Sequence, residues 1–429
     1  MLMDIQETSL ANGVRVLSST MPYLQSATMG IWVGVGGRYE PARISGISHF
    51  IEHLLFKGTE RLSSRDITQA VEGRGGYFNA FTQEESTCYY ARIGYDHLPK
   101  VLDVLGEMFL NPRFDEGDIE KERHVILEEL MMYHDQPHHH VHDMLGEAMW
   151  SNHPLGQPLI GSPETLERIN RAELVKFKDS RYVPGRTVFT FAGRVDHARC
   201  VAEVEAMTAH LKKRRKPAFK EVSASVPQER LTFQAREAEQ AHLALGFRTF
   251  GRSKKARYTL RLMSAILGEN MSSRLFQSVR ERHGLAYSIH TSYQLHADTG
   301  AFLISAGLDR EQLQKALALV VKELTRLRDK RVGAAELKRA RDYVIGQIRL
   351  SMESTTQRVM WMGENLLEHD RVIPPEETVA RLEKVTSDDI QKLAVSLLQP
   401  KHASLSLIAS EVSDVEQHKL LQILDRLGD

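Results

Sequence analysis

Two histidines and a glutamate lie within a single five-residue segment, His49-Phe50-Ile51-Glu52-His53. Side chains at positions i and i+4 of an α-helix share a face, so His49 and His53 can bind one metal ion. Glu52 lies close to the same face, where its carboxylate can reach a water molecule on that metal. The flanking side chains are apolar: Ile47, Phe50, Ile51, Leu54 and Leu55. A polar stripe on such a helix needs partners inside the protein, which favours a metal site over two ordinary hydrogen-bonded core histidines.

A second segment, predicted to be a helix over residues 116–133, supplies carboxylates. One stripe of this helix consists of Ile119, Glu122, Ile126, Glu129 and Tyr133. Because an unpaired buried carboxylate is costly, two glutamates on a core-facing stripe require a cation or a donor. We take Glu129 as a metal ligand and Glu122 as a group that orients a ligand histidine. A solvated acidic face is the alternative for this helix considered by itself.

Two histidines and one glutamate, with a fourth position for water, form the ligand set typical of a catalytic zinc site. A structural zinc site would more often use cysteines, and neither of the two cysteines lies in a C-x-x-C spacing. Zinc would polarise a carbonyl and lower the pKa of its water, and Glu52 would act as the general base. We therefore predict one zinc ion per chain, bound by His49, His53 and Glu129.

The order His-x-x-Glu-His is the inverted zinc motif of the inverzincins. With its continuation "HFIEHLLFKGT", the chain resembles the pitrilysin/insulinase superfamily (peptidase family M16), in particular the mitochondrial-processing-peptidase-like branch and bacterial members of subfamily B. In that family a further glutamate ligand follows the second histidine by about 76 residues, which is the separation of His53 and Glu129 here. A helper glutamate seven residues earlier corresponds to Glu122.

Two further segments carry the resemblance along the chain. "GGYFNAFTQEESTCYY" at 75–90 is similar to the family's substrate-binding edge strand, which implies that Asn79 and Ala80 pair with the peptide backbone. "SSRLFQSVRERHGLAYS" at 272–288 is similar to a segment with an arginine and a tyrosine seven residues apart, here Arg280 and Tyr287. The resemblance implies that this pair holds the peptide and the tetrahedral oxyanion. Without the family, the pair would be interpreted as a surface arginine and a core tyrosine.

One segment departs from the family pattern. Processing peptidases recognise an arginine of the substrate through acidic residues that follow the glutamate ligand. The corresponding positions here are His139 and Asp143. Only one of the two is acidic, so a preference for arginine-bearing presequences is not implied. The histidine run at 138–140 is predicted to be a solvated loop, or a helix start after Pro137, rather than a metal site.

The hydrophobic pattern predicts the same plan in both halves of the chain. The first half has predicted strands near 13–18, 28–35, 77–82, 87–93 and 187–192 and helices near 45–57, 64–73, 98–110, 116–133 and 196–211. The second half has predicted strands near 241–247, 286–295 and 301–308 and helices near 256–267 and 310–328, with another helix ending at 282. We predict an α+β fold of two similar duplicated domains, each a mostly antiparallel sheet flanked by helices (the LuxS/MPP-like metallohydrolase fold). The catalytic domain spans 1–211, a polar linker 212–228, and the domain with the Arg/Tyr pair 229–429.

Composition gives no reason to expect nucleic acid or a membrane as a partner. Lys+Arg and Asp+Glu balance at 56 each, which gives no charge-based reason to expect nucleic acid. No apolar run approaches the ~18 residues of a membrane span. Cys88 and Cys200 are expected to be buried thiols in a reducing compartment, so a cytoplasmic protein is predicted. The family resemblance implies a homodimer that closes a chamber around unfolded peptides.

These observations predict a zinc metalloendopeptidase that hydrolyses short or unfolded peptides bound as an added edge strand. One alternative is a catalytically silent peptide-binding or scaffold subunit of a processing-peptidase-like complex. Silent members of the family typically lose the motif, whereas the metal, base and Arg/Tyr residues are all present here. A metal-buffering protein that uses the histidine cluster is the other alternative, but it would not need Glu52 between the ligands.

Overall fold

The computed structural model describes residues 4–223 and 228–428. The chain forms two compact units, each built from separate segments. Unit 1 comprises the chain up to Met131 together with Gln157–Lys220 and Arg349–Pro375. Unit 2 comprises Met132–Gly156, Glu221–Ile348 and the chain from Glu376 onward. Each unit thus includes one segment from the other half of the chain. Residues 224–227 of the predicted linker lie outside the described residues, and the linear domain boundaries stay a prediction.

Unit 1 contains one sheet with the strand order β1-β2-β6-β3-β5-β4. Its strands are β1 Gln6–Ser9, β2 Arg15–Thr20, β3 Ser26–Val33, β4 Tyr77–Thr82, β5 Thr87–Gly94 and β6 Thr187–Gly193. The helices of the first half are α1 Ile47–Leu55, α2 Ser64–Val71, α3 Leu98–Leu110, α4 Glu116–His134, α5 Pro137–Met149, α6 Pro163–Arg168, α7 Arg171–Arg181 and α8 His197–Thr208. Strands β2 and β6 are parallel, and the other neighbouring strands are antiparallel.

Unit 2 contains a second sheet with the order β7-β11-β8-β10-β9. Its strands are β7 Leu231–Ala235, β8 Ala241–Phe250, β9 Ala286–Leu295, β10 Thr299–Leu308 and β11 Ala403–Ala409. The helices of the second half are α9 Arg257–Leu267, α10 Leu313–Asp329, α11 Ala334–Ser351, α12 Thr355–His369, α13 Pro375–Glu383, α14 Ser387–Leu397 and α15 Asp414–Asp425. Strands β7 and β11 are parallel, and the others pair antiparallel.

The two sheets repeat one topology. Strand β1 is an addition at the edge of the first sheet. If the five remaining strands of the first sheet and the five strands of the second are each numbered along the chain, both sheets have the order first, fifth, second, fourth, third. The predicted fold class, a duplicated α+β unit with mostly antiparallel sheets, is therefore confirmed.

Helices cover both faces of the central strands in unit 1. Strands β3 and β6 are buried at nearly every residue, as expected for strands without a solvent face. Helix α3 packs on one face of the sheet, and α12 packs on the opposite face against β3 and β6. In unit 2, α5 packs in the corresponding way on β8 and β11. Each sheet thus buries its second face with a helix from the other half of the chain.

Candidate active site

The predicted metal ligands lie together where α1 faces α4. The Nε2 atom of His49 is 3.8 Å from Oε2 of Glu129, and Nε2 of His53 is 3.4 Å from the same oxygen. The ligand atoms of the three residues all lie within 4.8 Å of one another. The two imidazole centroids are 4.6 Å apart, as expected for positions i and i+4 of one helix.

This donor set fits a zinc ion. Donor atoms about 2.0–2.2 Å from a tetrahedral zinc ion lie about 3.3–3.6 Å from one another, close to the separations observed. Burial, followed by the charge of His53, lowers the pKa of His49 to about 4. A neutral imidazole is the form that binds a metal, so this shift favours ligation at neutral pH. Among the described residues, this is the only group of three or more such side chains that meets these distances.

Glu122 orients one of the two imidazoles. Its Oε2 atom lies 3.1 Å from Nδ1 of His53, and its Oε1 atom lies 2.7 Å from the Lys57 ammonium group. Burial lowers the pKa of His53, but hydrogen bonds to Glu129 and Glu122 outweigh it, and the pKa is raised overall. A carboxylate on Nδ1 presents Nε2 towards Glu129, which is the arrangement of a carboxylate–histidine–metal triad.

Glu52 is held beside the predicted ligands by the edge strand of the sheet. The hydroxyl of Thr82, the last residue of β4, donates to Oε2 of Glu52 at 2.5 Å. Burial raises the pKa of Glu52, and the bond from Thr82 opposes that rise. The carboxylate is therefore fixed in direction and more basic than an exposed glutamate, both of which suit a proton acceptor.

A further buried carboxyl positions the helix that carries the motif. Oε2 of Glu40 accepts the backbone N–H of Gly46 at 2.6 Å, and Oε1 accepts that of Ser48 at 2.8 Å. These are among the N–H groups at the start of α1 that have no partner within the helix. Gly46 has φ +94°, and a side chain there would collide with the backbone oxygen of Ile160 at 2.6 Å. Glu40 thus fixes the start of α1 one turn before His49.

The Glu40 carboxyl predicts a pH effect on stability. Burial raises its pKa to about 7. The pKa of Glu40 in the folded protein therefore lies above its pKa in the unfolded chain. The contribution of this carboxyl to the free energy of unfolding is complete below about pH 4.3 and is lost as the pH rises through about 7. The size of that contribution is on the order of 3 kcal/mol. We expect the Tm advantage of wild type over Glu40→Gln to shrink between pH 5 and pH 8 in calorimetry of zinc-free samples. The exposed Glu60→Gln is the control, and parallel curves for wild type and Glu40→Gln would contradict the assignment.

The predicted substrate-binding residues lie on β4, which is the edge strand of the first sheet. Asn79 and Ala80 pair with Tyr90 and Tyr89 of β5 on one side only. The backbone N–H of Ala80 donates at 2.8 Å to the side-chain oxygen of Asn79 rather than to a strand. The outer edge of β4 therefore presents backbone groups that a further strand can bind.

The other predicted residues lie in unit 2. Arg280 lies in a π-helical turn, Phe276–Glu281, and its guanidinium carbon is 5.9 Å from the ring centroid of Tyr287 in β9. Tyr287 is 75% exposed, so it is not a core tyrosine. His139 and Asp143 both lie on α5, the helix that begins at Pro137. Burial raises the pKa of Asp143 to about 6.

Sequence reasoning missed three residues around the motif: Glu40, Lys57 and Thr82. The spacing of Lys57, four residues after His53, could have suggested it. The contact between Thr82 and Glu52 joins residues 30 positions apart and has no signal in the local sequence. Both cysteines are free and buried, as predicted.

The chain matches two family models in succession. The model described as "Insulinase (Peptidase family M16)" matches residues 15–163, and "Peptidase M16 inactive domain" matches residues 168–344. Within the described residues, no helix is both long enough and apolar enough to cross a membrane.

Proteins that are named as zinc proteases are similar to this chain over nearly its whole length. A protein of Mycobacterium tuberculosis named as an uncharacterized zinc protease is 37% identical over 94% of this chain and 92% of its own length. The Bacillus subtilis protein "Uncharacterized zinc protease YmxG" is 36% identical over 94% of this chain and 98% of its own. A solved structure described as a protease from Helicobacter pylori shares the fold, with a TM-score of 0.87 and 20% identity over 95% of this chain and all of that one. Another, described as a peptidase M16 inactive domain from Pseudomonas fluorescens, has a TM-score of 0.86 and 19% identity over 96% of this chain and 99% of that one.

Proposed function

Since this chain belongs to the insulinase family of M16 peptidases, we propose that it is a zinc endopeptidase that hydrolyses short or unfolded peptides, with Glu52 as the general base. The observation that carries this proposal is the convergence of three metal-ligating atoms beside a carboxylate that Thr82 holds in place. One zinc ion per chain, bound by His49, His53 and Glu129, is part of the proposal.

The residues around the proposed metal site have different roles in hydrolysis. When bound, zinc polarises the scissile carbonyl and brings the pKa of its water towards neutrality. Oε2 of Glu52 is engaged by Thr82, which leaves Oε1 to accept the proton of the attacking water and to deliver it to the leaving amine. Glu122 keeps the Nδ1 atom of His53 occupied, so that Nε2 stays directed at the metal position.

The edge strand offers a way to bind peptides with little regard to sequence. A peptide that adds to β4 would exchange the local bond between Asn79 and the Ala80 N–H for bonds to its own backbone. The added strand would pass Thr82, and therefore Glu52, at the end of β4. Arg280 and Tyr287 are retained in the proposal as peptide-binding residues on the family resemblance alone. Assembly as a homodimer and a cytoplasmic location are also part of the proposal.

The test is cleavage of a quenched fluorescent, unstructured peptide by the purified protein, with metal content measured on the same sample. We expect cleavage to stop on chelation and to return on addition of about one equivalent of zinc per chain. A protein that neither contains nor takes up a metal would overturn the site. Bound zinc without cleavage across a broad peptide set would favour a peptide-binding or scaffold subunit instead.

A further inference from the structure

On the face of the sheet opposite α1, side chains of β4 and β5 lie beside helix α12, and the surface between them is called the groove below. Successive side chains of a strand point to opposite faces. Phe78 and Ala80 pack into the core with α1, whereas Tyr77 and Phe81 lie on the other face. On that face the hydroxyl groups of Tyr77 and Thr356 share a hydrogen bond of 3.2 Å, which places the start of α12 beside the groove.

The floor of the groove is aromatic. The ring centroid of Tyr90, on β5, lies 6.4 Å from those of both Tyr77 and Phe81. Phe81 packs edge-on against Trp32, with centroids 5.7 Å apart. Tyr77 remains 44% exposed, so the groove is accessible to solvent at the end where Tyr77 lies. Aromatic rings in such a setting attract a cation to their faces.

Helix α12 supplies the wall of the groove. The helix packs closely against β3. A Cβ atom added at Gly363 would lie 2.2 Å from the Trp32 ring, and one added at Gly30 would lie 2.8 Å from Val359. The helix side that faces β5 and β4 carries Thr356, Met360 and Glu364 at successive turns. Met360, Phe81 and Tyr90 pack against the same hydrophobic cluster.

Glu364 is the ionisable group of this wall. It is partly buried, and no other described residue lies within hydrogen-bonding or ion-pair distance of its carboxylate. Burial, and then the charge of Glu368, raise its pKa to about 7. The thiol of Cys88, on the groove face of β5, has its pKa raised by burial and by the proximity of Glu364. A partly buried carboxylate without a partner, close to the strand that carries Tyr90, is an arrangement that a basic side chain would complete.

We propose that Glu364, with Tyr77, Phe81 and Tyr90, forms a subsite for a lysine or arginine side chain of the peptide bound along β4. This inference rests on the proposed function, because it needs a peptide on the edge of β4. An added strand would lie about 4.8 Å beyond β4, so only a long side chain can reach back across that strand. Positions 139 and 143 belong to the other unit, and the proposed subsite does not include them.

The experiment uses one quenched unstructured peptide in which a single lysine occupies each position in turn. Norleucine replaces lysine in a matched series, because it keeps the stem and removes the charge. Cleavage sites are mapped by mass spectrometry so that peptides cut in the same register are compared. At one position we expect wild type to prefer lysine over norleucine by roughly five- to tenfold in kcat/KM, the combined size of a partly exposed ion pair and a cation–π contact.

Variants on α12 test whether the lysine preference depends on the carboxylate of Glu364. Glu364→Gln is expected to abolish the lysine preference, and its Tm and circular dichroism spectrum check that the variant is folded. Glu364→Asp keeps the charge and is expected to retain part of the preference. Glu368→Gln, on the exposed next turn, leaves the Glu364 carboxylate in place and is expected to retain or strengthen the preference, because the charge of Glu368 raises the pKa of Glu364.

The possible failures are distinguishable. Cleavage without a basic preference at any position, or a preference that survives Glu364→Gln, would overturn the subsite and leave the peptidase proposal intact. If wild type cleaves none of the peptides, the proposed function fails, and the subsite fails with it.

Discussion

Glu52→Gln is expected to lower kcat for peptide cleavage by roughly 10²–10⁴-fold, the range that general acid–base catalysis contributes, while the protein keeps its zinc. Glutamine has the shape of glutamate and can still accept the hydrogen bond from Thr82, but it cannot take a proton from water. The proposed metal ligands are untouched by this change. The variant therefore separates the proton-transfer step from metal binding and from folding.

The measurement combines single-substrate kinetics with zinc content and Tm on the same preparations. Glu128→Gln is the matched control, because Glu128 is an exposed glutamate on α4, next to the proposed ligand Glu129. We expect it to behave as wild type. A Glu52→Gln variant that retains zinc and cleaves peptide at a rate close to wild type would show that another group accepts the proton.

The second large effect is expected on zinc affinity. Glu129→Gln removes the only carboxylate among the three predicted ligands and replaces it with a poorly coordinating amide, so we expect most of the bound zinc to be lost. Glu122→Gln leaves all three ligands in place but removes the negative charge that faces Nδ1 of His53. A loss of roughly 10–100-fold in affinity is expected, as for other residues that orient a ligand histidine.

Competition with a chromophoric chelator measures these affinities, with circular dichroism as the check on folding. The expected order of zinc affinity is wild type, then Glu122→Gln, then Glu129→Gln. Wild-type affinity in Glu129→Gln would remove this residue from the ligand set. Equal affinity of wild type and Glu122→Gln would limit the role of Glu122 to its ion pair with Lys57.

Features with a local physical cause were predictable from the sequence. Helix α3 and strand β4 have the predicted bounds, 98–110 and 77–82, because their patterns follow the period of one element. The pair His49 and His53 needed only one helix turn to come together. By contrast, no prediction was made for α6, α7 or the helices from α11 onward, although all of them are present.

The sequence by itself indicated the types of the predicted elements, the repeated plan and the candidate zinc ligands, because helix and strand periodicity act over a few residues. The tertiary structure decided which distant residues complete the site. Thr82 reaches Glu52 because β4 ends beside α1, and Lys57 reaches Glu122 because α1 packs against α4. It also decided that α12 covers the first sheet and α5 the second. Such contacts depend on how whole surfaces are buried against one another, and a buried face can find its partner anywhere along the chain.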